Sequence, residues 1–222
     1  MQSEKQYIDL YTEAQQLIKE HAAPVLNEVR DKAFEDFRRQ GFPTKKVERY
    51  KHTDMQKLFE PDYGLNLNRL EIPVNPYDTF KCDVPNLSTS LYFIVNDQFY
   101  SKALPKAKLN DGVIVDSLNH VATERPELVA KYYGRLANTE ADAITALNTM
   151  LAQDGLFIYV PKNVQLERTI QVINILRSDV DLMVNRRVLI VLEEGAKAQF
   201  LFCDHAADDR NFLATQVIEA YV

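Results

Sequence analysis

Glycine is scarce in this chain, at six in 222 residues. With so few, no Gly-x-Gly-x-x-Gly dinucleotide turn can be assembled, and the Gly-x-x-x-x-Gly-Lys-Ser/Thr loop that cradles nucleotide phosphates is missing as well. The Gly-x-Ser-x-Gly elbow and the His-Glu-x-x-His helix are also lacking. Cysteine is scarcer still. Cys82 and Cys203 are too few for a disulfide framework and suit a reducing cytosol. The longest uncharged apolar runs, Leu91–Val95, Leu156–Val160 and Val188–Leu192, are five residues each, against the ~20 that a membrane-spanning helix needs. Met1-Gln-Ser-Glu-Lys5 opens into an amphipathic pattern rather than an apolar signal core. The formal net charge of −6 leaves no basic footprint for nucleic acid or an anionic membrane. These absences set the expectation of a cytoplasmic protein of about one to two domains, large enough to bury a real core.

What is present first is helix. Tyr7, Leu10, Tyr11, Ala14, Leu17 and Ile18 recur at three- and four-residue steps, which predicts an amphipathic helix with Tyr7 and Tyr11 in the core. Pro24 fits the first position of a second helix, where its missing N–H costs nothing, with Val25, Leu26, Val29, Ala33 and Phe37 as the apolar face. Arg38 and Arg39 followed by Gly41 mark its end: cations in the last turn, then a residue free to adopt φ > 0. Pro43 blocks easy continuation through Phe42. Thr53 restarts the chain as a cap, with Gln56 reaching back as in a capping box, for a short helix over Asp54–Phe59. Pro61, Pro73, Pro76 and Pro85 make 61–90 a largely irregular connector.

Leu91–Val95 reads as a buried strand, Asn96-Asp97 as a turn before Gln98–Ser101, and Gly112–Val115 as another short strand. Asp116–Asn119 leads into two helices, over Pro126–Tyr133 and Glu140–Gln153, and Asp154-Gly155 ends the second. After Gly155 the texture changes. Phe157–Val160, Thr169–Leu176, Val188–Glu193, Ala198–Cys203 and Phe212–Val222 are β-rich runs with short polar breaks, a pattern that fits a sandwich, a barrel or a solenoid.

The stretch Gly41-Phe-Pro-Thr-Lys-Lys-Val-Glu-Arg-Tyr-Lys-His-Thr-Asp54 resembles the N-terminal signature of the SufD branch of the SufB/SufD family, subunits of the SufBCD complex for iron–sulfur cluster assembly. Gly41, Pro43, Thr44, Glu48, Lys51 and Thr53 match that signature, with Tyr50 where Trp is usual and His52 where Tyr is usual. The passage from Ala146 through Asp154-Gly-Leu-Phe-Ile-Tyr-Val-Pro161 to Val172 is similar to the one by which SufD enters a right-handed parallel β-helix. Asn148, Asp154, Gly155, Pro161, Glu167 and Ile170 sit as expected, and Thr169 stands where Pro is common.

The resemblance covers nearly the whole chain and implies its fold class. That class is α+β: a helical N-terminal domain (1–60), a Pro-rich connector with a mixed α/β segment (61–153), and the first coils of a right-handed parallel β-helix, or β-solenoid (154–222). It also implies a non-enzymatic scaffold. In that family the SufC ATPase hydrolyses ATP, SufB pairs through the β-helix cores, and the full complex assembles the iron–sulfur cluster transiently, so no cofactor is expected in this chain. Gln216–Val222 stops inside an alternating β run, so the chain reads as the N-terminal half of a longer protein whose C-terminal part docks SufC.

One local cluster has ligand character: Cys203-Asp204-His205, followed by Asp208 and Asp209. Thiolate, imidazole and carboxylate all ligate metals. A single cysteine closing an apolar strand is more often a small core hydrophobe, so the expectation is a strand end with a polar corner, and an auxiliary metal contact is the alternative. Cys82 is read as structural or incidental and His52 as packing or capping. Lys45, Lys46, Arg49 and Lys51 around Glu48 make either a solvated basic patch with one internal ion pair or a docking face. No residue receives a catalytic, cofactor-binding or metal role.

The rival readings are a polysaccharide-active β-helix enzyme, disfavoured by the apolar alternation and few coils, and a generic β-solenoid interaction module. A transporter membrane component fails on hydropathy. An uncapped last coil leaves backbone groups and apolar side chains seeking a partner, so this chain is expected to self-associate through Thr215–Val222. Light scattering across a concentration series checks this, and a concentration-independent monomer mass rejects it.

Overall fold

The first apolar stripe becomes α1 (Gln2–Glu20), which buries Tyr7, Tyr11 and Ile18. The computed structural model describes residues 2–80, 89–105, 109–110 and 112–222; Cys82 lies outside them. Both tyrosines sit in the core as the spacing requires, and each finds a partner for its hydroxyl. Tyr7 donates to Phe59 O (3.2 Å) and Tyr11 to Asp31 Oδ1 (2.9 Å).

Pro24 does open the next helix, but the expected single helix is two. α2 (Pro24–Asn27) is separated by a turn from α3 (Arg30–Gln40). The Asn27 amide donates back to Lys19 O and Ala22 O and accepts from Arg30 Nε, which pins the break. The break has a packing cause. Val25 and Leu26 serve a core with Val121 and Leu189, whereas Ala33 and Phe37 serve another with Tyr7 and Phe59. One straight helix cannot face both.

Gly41 ends α3 at φ 62°, its N–H on Phe37 O (2.8 Å), and turns Phe42 into a ring cluster with Tyr7, Phe37 and Phe59. The cap of α4 (Met55–Phe59) is Asp54, whose carboxylate accepts from Lys57 N (3.2 Å); the expected Thr53 lies one residue too early and is exposed. In the connector, Asn75 caps a single helical turn, α5 (Pro76–Thr79).

β1 (Thr89–Val95) turns at Asn96 (φ 57°) into the short antiparallel β2 (Gln98–Phe99). β3 (Ile114–Ser117) starts two residues later than expected, because Gly112 holds a turn at φ 82°. An unforeseen helix follows at once: α6 (Leu118–Glu124), capped by Ser117 Oγ on His120 N (3.0 Å). Next come α7 (Pro126–Ala130) and α8 (Ala143–Leu151), both shorter than their sequence patterns suggest.

The remaining strands are β4 (Gly155–Val160), β5 (Thr169–Leu176), β6 (Leu182–Leu192), β7 (Phe200–Ala206) and β8 (Phe212–Tyr221). They alternate between two four-stranded sheets, ordered β3-β4-β6-β8 and β2-β1-β5-β7. From β5 onward, neighbouring described strands are parallel. Leu156 aligns with Val188, Ile170 with Phe200 and Leu182 with Phe212, offsets of 32, 30 and 30 residues. The architecture is therefore mixed α+β, with a helical N-terminal region and two sheets built largely from parallel strands.

Between the sheets lie Tyr92, Ile94, Leu156, Ile158, Val172 and Val188. The helices cover the outer face of the β4–β6 pair through Phe157, Leu189 and Val191, while Val74 and Phe80 lie against Phe93, Ile173 and Ile175 of the other sheet.

Gly155 opens β4 directly against Arg187 of β6, and a Cβ there would stand 1.8 Å from the Arg187 carbonyl oxygen. Strand backbone cannot yield as a flexible side chain does. Gly155→Ala is expected to cost ~3 kcal/mol, the upper end of ordinary overpacking. Urea unfolding reads this directly, and a variant indistinguishable from the parent would contradict the close approach.

Candidate functional site

The helical layer meets the sheets at a buried polar crossing centred on α8. Asn148, fully enclosed, donates from Nδ2 to Arg186 O (3.0 Å) on β6 and to Thr215 Oγ1 (2.9 Å) on β8. Arg187 donates from Nη1 to Thr149 Oγ1 (2.7 Å) and from Nη2 to Glu219 Oε2 (2.8 Å), and its guanidinium lies 4.9 Å over the Tyr133 ring. This ion pair is shut off from solvent, at 0% and 1% side-chain exposure. Glu219 also accepts from the amides of Gly134, Leu136 and Ala137 (3.0, 2.9 and 3.1 Å).

Arg30, equally buried, donates from Nη1 to Met150 O and Ala152 O (2.9 Å each), at the end of α8. A cation there meets both the unpaired carbonyls and the negative end of the helix dipole. Burial pulls the Arg30 guanidinium below its ordinary value. Burial also works to raise the Glu219 carboxyl, but Arg187 and the loop amides outweigh it and hold that carboxyl below the usual range.

The segment 41–54 is fastened to the same helix. Asp142 caps α8 through Thr145 N (2.8 Å) and also accepts from Arg49 Nη1 and Tyr50 Oη, both at 2.7 Å. Burial together with Asp142 pushes the Tyr50 phenol up to about 12. Lys51 pairs with Glu48, and Lys45 reaches Asp54 at 3.3 Å. Lys46, Glu48, Lys51 and His52 face solvent, so His52 does not take the packing role expected as one of its two readings. Pro43, Thr44, Lys46, Thr53 and Met55 line a cleft of about 400 Å³ beside this surface. Arg49 belongs to the same exposed face as the other cations, at 71% side-chain exposure, but its tip is held by the buried Asp142.

Asp154, at the entrance to β4, accepts from Ser117 Oγ (2.7 Å), Asn119 N (3.0 Å) and Phe99 N (3.2 Å). Burial pushes its carboxyl up, against Arg69 and the groups that donate to it. It joins β2, α6 and β4 at one point.

The Cys203-Asp204-His205 cluster does not converge. It lies within β7 rather than at a strand end, because the strand runs on to Ala206. Successive side chains therefore alternate faces. Cys203 packs with Phe93 and Ile173, and His205 sits edge-on to Phe80 at 5.9 Å, whereas Asp204 turns to Arg186 on the other sheet. Asp208 accepts from Arg177 Nη1 (3.1 Å) and Ser178 N (3.0 Å). Among the described residues, no group of three or more His, Cys, Asp or Glu side chains could hold a metal ion. No sequence pattern points to Arg30, Asp142, Arg187 or Glu219, since a charge inside a strand or helix pattern reads as its solvent face.

Removing one partner of an enclosed ion pair leaves the other charge stranded. Glu219→Gln is therefore expected to cost ~3–5 kcal/mol in urea unfolding, and a loss below ~1 kcal/mol would contradict the coupling. A carboxyl held below its unfolded value stabilises fully above that value, ~4 for Asp and Glu, and loses its contribution as pH falls through the folded pKa. Asp31, Asp36, Asp142 and Glu219 all shift in this direction. Stability should accordingly fall as pH drops below ~4, and Glu219→Gln should flatten that acid limb; an unchanged limb rejects the assignment.

Residues 1–172 match the family model described as the SufBD protein N-terminal region. The iron-sulfur cluster assembly SufBD family protein ABCI9 of Arabidopsis thaliana is 28% identical over 169 residues, covering 76% of this chain and 34% of that protein. A SufBD family protein of Synechocystis sp., slr0074, is 34% identical over 116 residues (51% of this chain, 24% of the relative). The iron-sulfur cluster assembly protein SufD of Bacillus subtilis is 32% identical over 121 residues (54% and 27%). The aligned parts thus span about a quarter to a third of these curated relatives. The matched span takes in the helical layer, the Asp142 tether, the α8 side of the crossing and the Asp154-Gly155 entrance, and it places the chain in the SufB/SufD family.

Proposed function

We propose that this chain is the N-terminal part of a SufD-type scaffold subunit, which supports iron–sulfur cluster assembly without catalysing a step itself. The observation that carries this reading is the family match over residues 1–172. The alternation of β4 to β8 between two sheets, with parallel neighbours about thirty residues apart, supports reading the strands as the first coils of a parallel β-helix. β7 and β8 occupy the last places in their sheets, where a further coil would add.

On this reading the protein works in the cytoplasm within SufBCD. SufB pairs with its β-helix core, and the SufC ATPase binds a part C-terminal to Val222. The cluster is cargo of the whole complex, and this chain holds no resident cofactor. Its role is carried by shape: the buried crossing at α8 fixes the helical layer on the sheets, so the exposed 41–54 face and the strand edges keep a set relation.

Co-expression of the full-length protein with candidate SufB and SufC subunits tests the proposal. A stable complex of all three on size-exclusion chromatography is expected; a full-length protein that elutes alone in the presence of both would overturn it. Isothermal titration of this chain with Mg·ATP is expected to give no saturable binding. A Kd in the micromolar range, about −8 kcal/mol, would require a nucleotide site that the scaffold reading does not contain.

A further inference from the structure

Arg186 points the opposite way from Arg187. Val188 and Ile190, which share its face of β6, pack between the sheets with Tyr92, Ile94 and Val172. The Arg186 guanidinium crosses that interior to the other sheet. Its Nε donates to Asn96 O (2.8 Å), just past β1, and its Nη1 to Asp204 Oδ1 (2.5 Å) on β7. β5 runs between β1 and β7. In the row that aligns Ile94 with Asp204, the residue β5 contributes is Asn174. The guanidinium is therefore strung across Asn174.

Both side chains are enclosed, at 2% and 1% exposure. Among the described residues, Arg186 Nη2 and both polar atoms of the Asn174 carboxamide have no hydrogen-bond partner. Three unpaired polar atoms converging on one interior layer are not a normal protein interior, where nearly every buried polar group is met by protein or by water.

The local charges decide what can meet them. Arg186 is paired with Asp204, and the neighbouring Arg69 with Asp97 at 2.8 Å. Among the described residues an anion would find no uncompensated cation there, and a metal cation would face the Nη2–H donors. The open positions are a donor on Arg186 and both a donor and an acceptor on Asn174, so the complement is a small neutral molecule that accepts and donates. We propose that this interior layer is a built hydration site, in which ordered water accepts from Arg186 Nη2 and bonds the Asn174 carboxamide. A roughly water-sized space with two to four polar partners is what such a site requires.

Asn174→Leu in the full-length protein separates a wet layer from a dry one by sign. Leu has nearly the shape of Asn and no polar atoms. If water bridges the two residues, the substitution strands Arg186 Nη2 and lowers Tm by about 3 °C or more, given the size of the chain. If the layer is dry, two unpaired atoms disappear and Tm stays level or rises, which overturns the proposal. A high-resolution crystal structure of the parent full-length protein supplies the second readout. Water density within about 3.2 Å of both Arg186 Nη2 and the Asn174 carboxamide is expected. An empty layer, or an anomalous peak there after bromide soaking, overturns it, and this density decides the matter where the variant fails to fold.

Discussion

The enclosed pair of Arg187 and Glu219 is the constraint on which the rest of this molecule turns. β6 and β8 could stack by backbone bonding alone, and α8 could pack on them by apolar contact alone. Neither would fix the helix at one place along the sheet. Arg187 does so by joining Thr149 of α8 to Glu219 of β8, and Glu219 extends the tie to the 134–137 loop. Asn148 repeats the connection one residue earlier, to the backbone of β6 and the side chain of β8. Enclosed charges are poor sources of net stability but strong sources of position, because every displaced geometry strands one of them.

Through α8 the constraint reaches the N-terminal helices. Arg30 binds the carbonyls at one end of α8, and Asp142 at the other end holds Arg49 and Tyr50. The segment that most strongly suggested the family is thus not a free-standing peptide. Phe42 is buried in the ring cluster, Arg49 and Tyr50 are held by Asp142, and Lys45, Lys46, Glu48, Lys51 and His52 face outward, an arrangement suited to presenting a surface of fixed orientation. That suits the scaffold role proposed above for this member of the SufB/SufD family.

Much of the fold was legible because local and tertiary demands agreed. The stripe of α1, the proline at the start of α2, the glycine after α3 and the run of β5 each satisfy short-range rules and the core at once. The misreadings share a cause. Periodicity joins α2 and α3 because one apolar face serves two cores, a division no period reveals. The pattern starts β6 at Val188 because Asn185, Arg186 and Arg187 look like a polar break, although all three are buried. The same three residues hide the ionic crossing. Asn148 stands out by resemblance, and Asp154 and Gly155 by resemblance and as a helix stop, yet each proves to hold a junction: the crossing at α8, the β2–α6–β4 knot, and the backbone contact with β6. Cys203 and His205 attracted attention by chemistry, yet their strand gives them a separate face from Asp204.

The anchoring of Arg30 has a consequence for how the chain comes to be folded as it is made. Its acceptors lie 120 and 122 residues further along, and the strands beneath them come later still. At synthesis speeds of about 5–20 residues per second, the N-terminal helices wait roughly 6–24 s for the surface that receives them. During that interval the apolar faces of α1 and α3 lack the cover of α8, and the guanidinium of Arg30 remains in water. The helical region leaves the ribosome ahead of the sheets that receive it, and that delay is a period in which a nascent-chain chaperone has the most to protect.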